Sequence, residues 1–220
     1  MENKAIKEIE EVITENEKVL YDKHNVLINY KTYMESMASK KKNLISGENG
    51  RDDIEYKIKE LNKKKFRTNA QDKELYQEQV EKYEREFETN QSAIKSVQAE
   101  LNEISNKILD ISKEIFGIST EIIMKIIEIN QYEINEGLVS QYMEQDDMRY
   151  LEVAINRLTR ICKLDGDEVE RVEQINFTNV SMNNFNRLKK FFEIQKETLE
   201  IVCSPTIEVI PEYERKIEEE

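Results

Sequence analysis

Apolar residues recur at alternating steps of three and four over most of the chain. From Ile6, positions 6, 9, 13, 16, 20, 23, 27, 30, 34, 37, 41 and 44 hold nine apolar or aromatic residues in twelve. From Tyr76 the same alternation runs to Tyr132, with fifteen of seventeen positions apolar or aromatic; Asn90 and Lys125 are the exceptions. This spacing lines one stripe of an α-helix and is the seam of a coiled coil. At about 1.5 Å per residue the second stretch alone would run roughly 85 Å, which predicts an elongated helical assembly.

The seam changes along its length. Between Ile104 and Ile129 apolar residues spread beyond it, at Leu109, Phe116, Ile123, Met124, Ile126 and Ile127. A helix that is apolar on several sides has neighbours on several sides. This predicts a central bundle thicker than two helices, with thinner ends. Gly117 sits inside it and predicts a kink or a close helix crossing. Ser46-Gly47-Glu48-Asn49-Gly50 is the best turn signal, so a helical hairpin is expected to turn there. Residues 54, 58 and 61 begin a second seam, and residues 63 to 72 lack one.

Further on, Met148, Leu151, Ile155, Leu158 and Cys162 give another seam, and Leu164-Asp165-Gly166-Asp167 reads as a turn. Ser181 is placed to cap a last amphipathic segment carrying Phe185, Leu188, Phe191, Phe192, Ile194, Leu199 and Val202. Residues 1 to 204 are expected to form one elongated helical domain. Residues 205 to 220 are expected to be an acidic, disordered tail.

Composition sharpens the fold class. With 5 Gly and 2 Pro in 220 residues, the turns that a sandwich, barrel or doubly wound sheet needs are missing. The expected class is all-α: long antiparallel helices in an elongated coiled-coil bundle. No stretch of 18 apolar residues suggests a membrane span. The start, Met1-Glu2-Asn3-Lys4, lacks the basic-then-apolar order of a signal peptide. A cytoplasmic protein, peripheral to membranes, is the expectation.

The net charge of -13 excludes a chain that coats nucleic acid along its whole surface. The charge is uneven. Residues 40 to 67 hold ten bases, Lys40, Lys41, Lys42, Arg51, Lys57, Lys59, Lys63, Lys64, Lys65 and Arg67, against five acids. That window is +5 in an otherwise acidic chain, so these ten residues are the candidate contacts for an acidic lipid surface or another polyanion. Solvation of a helical hairpin end is the plain alternative.

Nothing points to catalysis. No phosphate loop, dinucleotide fingerprint, zinc-protease helix or nucleophile elbow occurs. One histidine, His24, and two cysteines 41 residues apart do not make a zinc site, and both thiols are expected free and buried. Asp165-Gly166-Asp167-Glu168 lacks the closing ligands of a calcium loop. No metal, cofactor or enzymatic activity is expected.

Residues 25 to 44, Asn-Val-Leu-Ile-Asn-Tyr-Lys-Thr-Tyr-Met-Glu-Ser-Met-Ala-Ser-Lys-Lys-Lys-Asn-Leu, resemble the BAR-domain helix in which a Leu-x-x-Tyr segment leads through small residues into a lysine cluster. The resemblance implies a crescent-shaped homodimer with a six-helix centre that binds curved acidic membrane, with the tip-lysine role on Lys40, Lys41 and Lys42. The core of such a dimer is expected at Ile104, Ile108, Ile111, Ile115, Phe116, Ile118, Ile122, Ile123, Ile126 and Ile129. Two other readings stay open. One is a coiled-coil tether or structural protein that binds protein partners through seams at Met34, Met37 or residues 185 to 202. The other is a parasite surface or wall protein that adheres to polyanions.

Overall fold

The computed structural model describes residues 2–67, 70–139 and 180–204. Helix accounts for 92% of them, so the all-α class holds. The elements are α1 (Glu2–Ser46), α2 (Arg51–Arg67), α3 (Ala70–Asn135) and α4 (Met182–Val202). The expected seam at 148 to 162, the turn at 164 to 167, Cys162 and the tail at 205 to 220 lie outside the described residues.

The seam positions behave as the spacing predicts. None of the twelve on α1 and none of the seventeen on α3 is exposed. Ile13, Leu20, Leu27 and Met34, seven residues apart, are almost wholly buried. Each such aliphatic side chain contributes about 1.5–3 kcal/mol on leaving water.

Contacts divide the chain into two compact units. The first combines Met1–Lys31 with Lys107–Ser204 and holds three described helices. Lys23 of α1 bonds Glu114 of α3, and the Lys107 ammonium lies 6.0 Å from the Tyr30 ring centre, so these two helices run antiparallel. α4 runs parallel to α1, since Arg187 meets Glu10 and His24 meets Glu197. It runs antiparallel to α3, since Asn184 meets Asn130 and Gln195 meets Ser119.

This arrangement explains the broad apolar face of α3. Ile108, Ile115, Phe116, Ile122, Ile123, Ile126 and Ile129 are buried because α1 and α4 both line that helix. The neighbours that the breadth demands are thus supplied within one chain. Of the ten positions expected at a dimer core, only Ile111 and Ile118 are left half-buried. Ser181 caps α4 as expected: its side chain accepts from the Asn184 N–H. Gly117 is exposed, with nothing within 4 Å of where a Cβ would stand, so it marks no close crossing, and α3 continues through it.

The second unit contains Thr32–Asn106, that is, the end of α1, all of α2 and the first half of α3. Here one expectation is corrected. Tyr33 bonds Glu100 and Lys41 bonds Gln98, so α1 and α3 are antiparallel. The Lys57 ammonium lies 5.7 Å from the Tyr83 ring centre and Lys65 bonds Gln77, so α2 is antiparallel to α3 as well. α2 therefore continues in the direction of α1. Ser46–Gly50 is a break and not a hairpin turn; it is α3, from Ala70 on, that runs the opposite way.

The break has a local cause. The Gly47 N–H donates to the Asn43 carbonyl at 2.9 Å, and a Cβ on Gly47 would lie 2.4 Å from that same oxygen. Asn49 follows with φ 58, in the left-handed region that Asn tolerates better than most residues. Its N–H donates to Asp53 Oδ2 at 3.1 Å, and its own side-chain oxygen accepts from Lys57 at 2.9 Å. These bonds tie the break into the first turns of α2. Asn90, the polar gap in the α3 seam, lies opposite it beside Leu44 and Asn49.

Candidate functional site

The ten candidate bases all lie in the second unit, but the fold does not gather them. Lys41 and Lys65 bond Gln98 and Gln77 of α3, which are 21 residues apart on one helix. At about 1.5 Å per residue the two lysines stand roughly 30 Å apart along it. One expected basic tip is therefore two separate clusters: Lys40, Lys41 and Lys42 before the break, and Lys63, Lys64, Lys65 and Arg67 at the end of α2.

The three bases between them are largely neutralised. Arg51 pairs with Asp52 at 3.0 Å, Lys57 with Asp53 at 2.8 Å, and Lys59 with Glu55 at 2.6 Å. The pairing between Lys57 and Asp53 holds the Asp53 carboxyl below its ordinary range and the Lys57 ammonium above its own. In the first cluster Lys41 is half-buried, and burial pushes its ammonium below the ordinary lysine value. Lys40 and Lys42 are exposed.

The cluster at the end of α2 is the denser one. Residues 63 to 67 read Lys-Lys-Lys-Phe-Arg, four bases without an acid. Lys63 pairs with Glu60 at 2.8 Å, which raises the lysine and lowers the glutamate from their ordinary values. Lys64, Lys65 and Arg67 occupy the last turn, where the negative end of the helix dipole favours cations. Phe66 among them is 88% exposed, more than any other large apolar residue described. Seam periodicity does not single out Phe66; its position inside a basic run is the signal that marks it.

His24, one residue off the α1 seam, has its Nε2 3.2 Å from Glu197 Oε2 without hydrogen-bond geometry. Among the described residues no group of His, Cys, Asp and Glu side chains is placed to hold a metal. Cys203 is free, and it is exposed where burial was expected, because it sits at the C-terminal cap of α4. No described helix is long and apolar enough to cross a membrane. The seam expected to bind partners is also occupied: Met34, Met37, Leu188, Phe191, Phe192, Ile194 and Ile201 are buried by the chain's own helices.

Compared with protein-family models, curated proteins and solved structures, the chain gives no match.

Proposed function

We propose that the chain is a non-enzymatic helical scaffold that binds acidic phospholipid membrane through the end of α2, acting as a homodimer. The observation that carries this reading is the basic run at 63 to 67, with no acid inside it, in a chain of net charge -13. A membrane whose lipids are anionic attracts such a run by about 1 kcal/mol per base, while the acidic body is held off. The resemblance of residues 25 to 44 to BAR-domain helices supports the same class of partner and adds Lys40 and Lys42 as a second contact. A crescent shape and a role in membrane curvature belong to this proposal. The test is sedimentation with vesicles with and without phosphatidylserine: binding only to the acidic vesicles, weakened by added salt, supports it.

A second reading is favoured by one observation on α1. Val12, Val19 and Val26, spaced by seven, are 38%, 45% and 42% exposed. They form an apolar stripe beside the occupied seam and fit a partner helix, either a second copy or another coiled-coil protein. Light scattering on the chain with all three changed to Lys tests it: conversion of a dimer to a monomer supports self-association through this stripe.

A further inference from the structure

The end of α2 presents more than charge. Phe66 is 88% exposed between Lys65 and Arg67, and it does not stand alone. The bond between Lys65 and Gln77 sets the register of α2 against α3, so residues 66 and 67 lie level with residues 75 and 76. Leu75, on that level, is 55% exposed. Two large apolar side chains from two helices are thus open to solvent near the facing ends of α2 and α3, Phe66 among Lys63, Lys64, Lys65 and Arg67, and Leu75 next to Lys73 and Glu74. A single exposed apolar residue needs no explanation, but one inside the densest basic run, with a second on the same level of the neighbouring helix, does.

The two features call for different depths in a single partner. Lysine and arginine hold their charge at the level of phosphates while their stems lie along apolar material. A phenyl ring gains by passing below that level into the acyl boundary. An acidic bilayer interface offers anions above and hydrocarbon beneath, and so matches both. We infer that Phe66, assisted by Leu75, inserts into the acyl boundary of an acidic membrane while the flanking bases hold the headgroups. This rests on the membrane reading above and adds an insertion step to it.

The chain has no tryptophan, so Phe66→Trp places a single reporter at the site. Its emission is followed in the full chain against vesicles of equal parts phosphatidylcholine and phosphatidylserine, against phosphatidylcholine alone, and against heparin. The expected result is a blue shift with the acidic vesicles only, and quenching by lipids brominated in the acyl chain. Phe66→Ser is expected to weaken binding to acidic vesicles by about tenfold or more, the order set by burial of a phenyl ring, with unchanged helicity. If the wild-type chain sediments with acidic vesicles but the tryptophan emission does not move, insertion is overturned while attraction stands. If the wild-type chain does not sediment, the membrane reading itself has failed. An equal blue shift with heparin assigns the site to polyanions in general and overturns insertion.

Discussion

Arg187 holds Glu10 through both terminal guanidinium nitrogens, at 2.9 and 2.7 Å, across 177 residues of sequence. This two-pronged pair joins α4 to the start of α1. Both side chains are partly exposed, 26% and 41%, so solvent screens the pair. Arg187→Ala and Glu10→Ala are each expected to cost about 1 kcal/mol or less, with a coupling of about 0.5 kcal/mol in a double-mutant cycle by urea unfolding.

The larger effect is expected at Asn130, which is 4% exposed. Its side-chain oxygen accepts from the Ser181 N–H at 2.9 Å and from Asn184 Nδ2 at 3.2 Å, and Asn184 also donates to Glu133 at 2.7 Å. Asn130→Ala strands a buried backbone donor at the cap of α4, so a loss of about 2 kcal/mol is expected. Ser181→Ala, which removes the cap itself, is expected to cost about 1 kcal/mol. Equilibrium unfolding followed by circular dichroism measures both.

The seam of α3 was legible because period and burial are the same fact: positions 80, 97, 101, 104, 108, 115, 122 and 129 are all buried. The direction of the chain after Gly47 was not legible. A glycine pair ends a helix, but whether the chain turns back depends on the residues after the pair. Here Asn49 and Asp53 restart the helix within a few residues. The missing seam at 63 to 72 was the better sign of reversal. Asn130 lies one residue off the seam, and its polarity has meaning only once α4 is beside it. The basic residues were identified from charge alone, but their separation into two clusters comes from helix direction.

The two central glycines are expected to respond in opposite ways. Gly47→Ala forces a Cβ to within 2.4 Å of the Asn43 carbonyl oxygen, a backbone atom, so the break must distort and stability must fall. Gly117 is helical with open space around it, and Gly117→Ala is expected to stabilise α3 by about 1 kcal/mol. Thermal melting of the two variants checks the contrast.

The break should also loosen in acid. Asp53 is held below its ordinary value of 3.8 by the Lys57 ammonium and then by the Asn49 N–H. A carboxyl depressed in the folded state stabilises fully above its unfolded value, and that support is lost as pH falls through the lower folded value. Protection of the Asn49 amide, its exchange compared with an unstructured amide at the same pH, is therefore expected to fall only below the ordinary carboxylate value of 3.8, as Asp53 protonates. Asp53→Asn should show the lower protection already at neutral pH, with no further loss of protection in acid.

Which cluster meets the partner is decided by charge reversal. The chain carrying Lys63→Glu, Lys64→Glu, Lys65→Glu and Arg67→Glu is compared with one carrying Lys40→Glu and Lys42→Glu, by sedimentation with phosphatidylserine vesicles. The account predicts that the first loses binding and the second retains most of it, with both as helical as the wild type. Undiminished binding by the first, or no binding by the wild-type chain, would contradict it.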